Sequence, residues 1–273
     1  MATKDHVITV PTPDGFEWRD TPAGPALVCL ALEPYAAHLF TTRRWPLGST
    51  PDGDRTSAWA DVARALGADG SHLERAHQVH GASVVVRRAG DPPRGGAVLP
   101  EADIIVSDDP ALVLSIQAAD CVPLLIADGR TGAIAAAHAG WRGMAARVPQ
   151  VAVLALSRAF GSRPVDLVAA IGPSISASRY EVGDEVREHF REAGCASPQL
   201  HRWFVPAKRP GGWYFDLWAS AREQLEATGV PADGIHLAGL CTASHPDLLC
   251  SYRRDGKAAG RIAGAIRVSP RRP

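Results

Sequence analysis

Short apolar runs bounded by Gly, Pro or Asp recur along the chain. Runs of about four to eight such residues suit buried strands. The pattern predicts strands over Ala82–Arg87, Ala111–Ala118, Val122–Asp128, Ala133–His138, Leu167–Ile171, Gly234–Leu240 and Gly260–Val268. Helical spacing fills the intervals. Val148–Phe160 places Val151, Leu154 and Ala155 on one face, and Pro149 falls in the first turn, where it is tolerated. Asp184–Ala193 is amphipathic and stops at Gly194; Asp216–Thr228 starts at Asp216, a candidate cap or first-turn residue, and stops at Gly229. The Gly- and Pro-rich Ala89–Pro100 stretch reads as a surface loop, and Ser269–Pro273 as a frayed tail. Strands and helices mix without the alternation of a doubly wound sheet. The class is therefore α+β, with mixed β-sheets covered by helices.

Composition narrows the picture. The chain has 273 residues and is 46% apolar, enough for a large core in one domain over 1–273. Lys plus Arg and Asp plus Glu number 29 each, so the basic excess of a nucleic-acid binder is missing. Five cysteines, an odd number with no C-x-x-C pair, speak against a disulfide framework, a zinc ribbon or a thioredoxin-like motif. The most apolar early run, Pro25–Leu32, ends at Glu33, and no stretch is long enough to span a bilayer. The N-terminus lacks the design of a secretion signal, so the expected location is a reducing cytoplasm.

Three stretches carry candidate chemistry. They are A-H-Q-V-H-G at Ala76–Gly81, A-A-D-C-V-P at Ala118–Pro123 and A-A-H-A-G-W-R-G at Ala136–Gly143. Each borders a strand-like run, where side chains from distant segments can converge. Two imidazoles and a thiolate are good zinc donors, and three protein ligands leave a fourth position for water or substrate. Spacing alone leaves Cys121 open to being an inert buried thiol and His138 a satisfied strand-end histidine. It also does not choose between His77 and His80. Arg142 sits in a Gly-rich turn leading into a helix and is a candidate phosphate contact, or else an ordinary surface ion pair. Gln78 and Asp120 flank the candidate donors as substrate-site candidates. Asp120 either orients a ligand histidine or caps a turn.

Taken together and in order, six strings resemble the YfiH/DUF152 family, long labelled multicopper polyphenol oxidase or laccase. They are Q-V-H-G (Gln78–Gly81), A-D-C-V-P (Ala119–Pro123), H-A-G-W-R-G (His138–Gly143), G-P-S-I (Gly172–Ile175), Y-E-V (Tyr180–Val182) and S-Y-R-R-D-G (Ser251–Gly256). The resemblance runs from about Phe40 to Val268. It implies a layered α/β sandwich with central mixed sheets. It implies one zinc, or copper, held by residues matching His80, Cys121 and His138, and so selects His80 over His77. It further implies phosphorolysis of purine nucleosides (adenosine, inosine, guanosine or methylthioadenosine) with phosphate, and deamination of adenosine. Purine nucleosides and phosphate would be the partners, with no nucleic acid or membrane involved.

Two other functions remain open. One is a Cys–His hydrolase, Cys121 with His138 or His80, that edits cytoplasmic peptidoglycan precursors. The other is a copper-dependent polyphenol oxidase. The ten histidines include no H-x-H pair, and no Cys stands directly before a His as a C-H pair, as a trinuclear copper cluster would require. Arg43, in F-T-T-R, is kept as an anion contact, although the chain continues R-W-P-L-G-S where the family has R-x-G-G-V-S. The charged turn Arg253-Arg254-Asp255 reads as an ordinary connection, and Cys241 as a small buried residue at a strand end.

Overall fold

A computed structural model describes residues 11–48, 56–92 and 98–269. Residues 93–97 of the expected surface loop and 270–273 of the expected tail lie outside the described residues. Two six-stranded sheets form the centre. The first runs in the order Phe16–Thr21, Gly24–Cys29, Ala36–Thr41, Ile262–Val268, Val113–Ala118, Leu73–Glu74. The second runs Ile235–Leu237, Leu167–Ile171, Val122–Asp128, Ile134–Ala139, Ile104–Ser107, Val84–Arg87. Both contain parallel and antiparallel pairs, so they are mixed as expected. A small third sheet joins Glu181–Gly183, Gly212–Phe215 and Phe204–Pro206.

The layers follow from side-chain alternation. In Val122–Asp128 every residue is buried. Leu124 and Ile126 face a core shared with Val148, Ala152, Val153 and Leu156 of the helix Val148–Phe160. Leu125 and Ala127 face the opposite way, into a core with Phe40, Leu114, Ile116, Ile262 and Ile266 of the first sheet. A strand with cover on both faces must be apolar throughout, which is why these runs show no alternation in sequence. The outer face of the first sheet packs Val113, Ala263 and Ala265 under Trp59, Val62 and Ala63 of the helix Thr56–Ala65. The order is helix, sheet, sheet, helix.

The three expected helices form over Val148–Phe160, Asp184–Glu192 and Leu217–Glu226. Asp216 caps the last by accepting from the Trp218 and Ala219 amides at 3.0 and 2.9 Å. Gly194 and Gly229 both take positive φ just past their helices. Expected strand ends shift by a few residues, as at Val84 and Ile235. The early run Pro25–Leu32 forms the strand Gly24–Cys29. Its pairing partners Phe16–Thr21 and Ala36–Thr41, the strand Ile104–Ser107 and the helix Thr56–Ala65, whose Trp59, Val62 and Ala63 repeat at helical spacing, add to the expected elements. The divergent loop after Arg43 turns two of its side chains inward while Arg44 and Pro46 stay exposed. Trp45 and Leu47 are each 1% exposed in the outer core, and Trp45 Nε1 donates to the Pro25 carbonyl at 3.0 Å.

His38 makes this architecture acid-sensitive. Its buried ring accepts from the Cys29 amide through Nε2 at 2.8 Å and donates through Nδ1 to the Ala36 carbonyl at 3.0 Å. A proton on Nε2 would oppose a donor. Burial pushes the ring down to about 4, only partly offset by the hydrogen bond to Ala36. The unfolded chain takes up this proton near the ordinary histidine value and the folded chain does not. Stability is therefore whole above that value and declines as pH falls toward 4, by on the order of 3 kcal/mol from this group. Denaturant titrations between pH 7.5 and 4 should show a shallower decline in His38→Gln than in the wild type. Equal declines would remove His38 as the cause.

Candidate metal centre

Cys121 lies at the corner where the chain leaves the first sheet, at Ala118, and enters the second, at Val122. His138 stands inside the neighbouring strand, opposite Pro123. His80 comes from the loop ahead of the strand Val84–Arg87. One ligand atom from each lies within 4.8 Å of the others. The two imidazoles meet edge to face, with centroids 4.9 Å apart. His138 is buried, Cys121 half-buried and His80 exposed, so the group has a closed back and an open front.

A fourth residue organises it. Asp103 is fully buried. Its carboxylate accepts from His138 Nδ1 at 2.8 Å and from the amides of Val79, His80 and Gly81 at 3.2, 3.1 and 2.7 Å. Three consecutive N–H groups around one anion form a nest. The left-handed backbone of His80, at φ 61°, belongs to that shape. The bond to Nδ1 fixes the His138 ring and leaves Nε2 as its donor to a metal. Burial pushes the Asp103 carboxyl up, but the His138 bond and the nest outweigh it and hold the group below its ordinary value. Burial likewise pushes the Cys121 thiol up and the His138 ring down. Their mutual attraction, with Asp103 behind His138, reverses both shifts and favours a thiolate beside an imidazolium. Thiolate is the form that ligates metal. Space is reserved as well: a Cβ at Gly140 would stand 2.7 Å from the Cys121 sulfur. The donor chemistry, the fixed tautomer and the reserved space all fit a tetrahedral zinc-type ion with an open position.

The other sequence candidates fall in distinct places. His77 bridges Glu101 through its backbone and stays outside the three-donor group. Gln78 is spent on structure: its amide exchanges two 2.8 Å bonds with the Gln117 backbone, pinning the loop to the first sheet. Asp120 caps a turn and does not orient a histidine. Its carboxylate accepts from Thr242 Oγ1 and the Arg253 amide, both at 2.6 Å. The orienting role went to Asp103, which borders no recognisable string. Asp120 has φ 99°, and its carbonyl accepts from the Ile175 amide, so three segments meet beside Cys121. Arg43 donates its guanidinium to the Pro246 carbonyl. Arg142 is exposed, with its guanidinium 4.2 Å over the Trp141 ring. Cys241 is buried and accepts from the Ser176 amide at 3.4 Å.

A sandwich of two mixed sheets with a His-Cys-His group at their corner defines the class: an α/β protein with a candidate metal centre. The chain belongs to the family described as multi-copper polyphenol oxidoreductase laccase, which matches residues 54–269. It is 41% identical over 166 residues to a purine nucleoside phosphorylase of Bacteroides thetaiotaomicron, a match covering 61% of this chain and 60% of that protein. It is 35% identical over 209 residues to an adenosine deaminase, RL5, from an unknown prokaryotic organism, covering 75% and 78% of the two chains. The solved structure of YfiH from Bacillus licheniformis superposes with a TM-score of 0.81 at 26% identity, over 92% of this chain and 99% of that one. Among the described residues no helix is long and apolar enough to cross a membrane.

Proposed function

We propose that the protein is a zinc-dependent purine nucleoside phosphorylase that also deaminates adenosine. The observation that carries this reading is the His80–Cys121–His138 group with Asp103 behind it, an open three-donor site in a family whose relatives bear both activity names. In phosphorolysis an oxygen of hydrogenphosphate bonds to C1′ of the ribose as the C1′–N9 bond breaks. The bonding pair leaves with the purine, which ends with the proton that hydrogenphosphate carried. Deamination replaces the 6-amino group of adenosine with oxygen from water and releases ammonia. The bound ion would act as a Lewis acid at the open position. The protein's part is to hold the donors, keep Nε2 of His138 facing them and close the back of the site to water.

Protein purified without added metal should carry about one zinc per chain by elemental mass spectrometry. With adenosine it should release adenine only when phosphate is present, and inosine with or without phosphate. Chelation should abolish both, and zinc should restore them. Full zinc occupancy with no base and no inosine would overturn the assignment.

A second reading has its own support, since the thiolate–imidazolium pair of Cys121 and His138 also suits a Cys–His hydrolase of peptidoglycan precursors. Turnover of such precursors by the metal-free protein would favour it. Phenol turnover that tracks stoichiometric copper would favour the oxidase reading instead.

A further inference from the structure

Phosphorolysis needs a place for a dianion beside the donor group, and the surroundings of Cys121 hold two guanidiniums without a carboxylate partner among the described residues, and a phenol. Asp120, the residue before Cys121, binds the amide of Arg253 at 2.6 Å. That bond sets the base of the Arg253 side chain one residue from the donor. The guanidinium then reaches back over the Tyr180 ring, 5.0 Å from its centroid, and donates Nη1 to the Glu181 carbonyl at 2.7 Å. From the other side, Arg142 follows two residues after Gly140, whose backbone abuts the Cys121 sulfur. Burial keeps the Tyr180 hydroxyl protonated well above its ordinary range; the charges of Cys121 and Asp120 add to this, and those of Arg253 and Arg142 oppose it. Four charges, two of each sign, therefore act on one phenol.

What these groups lack is as telling. Neither Arg142 nor Arg253 has a carboxylate partner among the described residues, and the Tyr180 hydroxyl has no hydrogen-bond partner there. The neighbouring Arg254 shows the contrast. It is fully committed, to Asp255 at 2.7 Å and to the carbonyls of Thr242 and Leu249 at 2.9 and 3.0 Å. One arginine of the pair Arg253-Arg254 builds the turn. The other is aimed across it with its charge unpaired. Two such guanidiniums and a phenolic donor can together hold a ligand with several strong acceptors.

We propose that Arg142, Arg253 and the Tyr180 hydroxyl form the seat of a phosphate dianion on the Cys121 side of the donor group. The seat deepens the phosphorolytic reading and rests on it. It gives Tyr180 and the charged turn a role in holding the nucleophile, and assigns none to Arg43, Gln78 or Asp120. The dianion is free orthophosphate, or the phosphoryl group of a nucleotide.

The test uses the full-length, metal-loaded protein. Inorganic phosphate and adenosine 5′-monophosphate are titrated separately by calorimetry. The KM for phosphate in adenine release is measured alongside the KM for adenosine in deamination. Arg142→Gln, Arg253→Gln and Tyr180→Phe are compared with Arg158→Gln, a loss of one charge on the surface helix Val148–Phe160. The two site arginine variants should each weaken phosphate by roughly 10- to 100-fold, the loss of a charge-assisted hydrogen bond, and Tyr180→Phe by less. The adenosine KM in deamination should move little, which separates an anion seat from a general loss of structure. Arg158→Gln should behave as wild type.

Phosphorolysis with an unchanged phosphate KM in Arg142→Gln and Arg253→Gln would overturn the seat and leave the proposed function standing. Phosphate binding that both variants abolish, without base release from any nucleoside, would keep the seat and sink phosphorolysis. Tighter binding of the monophosphate, lost in the same variants, would assign the seat to a nucleotide. A wild-type protein that neither binds phosphate nor uses it would overturn both.

Discussion

Asp103→Ala should strip the metal centre and weaken the fold together. The carboxylate is fully buried and serves four donors at once: the His138 ring and the amides of Val79, His80 and Gly81. Removing it frees His138 to rotate and to carry its proton on either nitrogen. It also leaves the loop that presents His80 without its anchor. Losing a carboxylate that orients a ligand histidine weakens metal binding by about 10- to 100-fold. The orphaned buried donors add about 2–4 kcal/mol of lost stability. Asp103→Asn should do little better, because its amide NH2 would face backbone N–H groups. Chelator competition reads the first effect. Denaturant titration of metal-free protein reads the second without the contribution of bound metal. Wild-type metal affinity in Asp103→Ala would show that the three donors need no outer support.

Gly140→Ala should separate the metal centre from the fold. Gly140 has φ −81° and ψ −174°, extended backbone open to any residue, so alanine meets no backbone strain. Its Cβ would instead stand 2.7 Å from the Cys121 sulfur and 3.4 Å from Cδ2 of His80. The sulfur must move, and with it one of three donors. Metal affinity should fall at least about tenfold, given that a site tolerates only about half an ångström of displacement. Stability of the metal-free protein should stay within about 1 kcal/mol of wild type. Full metal occupancy and unchanged affinity in the variant would mean that Cys121 relaxes freely and that Gly140 is kept for another reason.

The legible parts of the sequence were those with a local cause. Val122–Asp128 and Leu167–Ile171 read as strands because cover on both faces forces unbroken apolar runs. Val148–Phe160 read as a helix from the spacing of Val151, Leu154 and Ala155. The face that packs is instead Val148, Ala152, Val153 and Leu156, and Leu154 is exposed, because the apolar residues nearly encircle this helix and only the sheet beneath selects a side. The strand Ile104–Ser107 was not legible: four residues give no period, and it is a strand because Val84–Arg87 and Ile134–Ala139 flank it. Trp45 and Leu47 lie in the divergent loop and are nonetheless core, because they pack in one cluster with Trp59, Val62 and Ala63 of the helix Thr56–Ala65, a contact between segments that the loop's own residues do not announce.

The donor set divides the same way. His80, Cys121 and His138 could be singled out because nitrogen and sulfur donors at strand ends are conspicuous as residue types, and the resemblance picked His80 from the two histidines of its loop. Asp103 was invisible. It stands 35 residues from His138 and 23 from His80, and nothing in its neighbours marks it. The converse holds for Gln78 and Asp120, which flank the donors in sequence while their side chains turn to the Gln117 backbone, Thr242 and the Arg253 amide. By itself the sequence determined which segments are buried and which atoms can bind a metal, since both are properties of residue types and local period. Only the tertiary structure decided which carboxylate orients the histidine, which glycine clears the sulfur and which arginines near the donors have no carboxylate partner among the described residues. A hydrogen bond or an ion pair depends on separations of a few ångströms, and chain order does not encode those separations between distant segments.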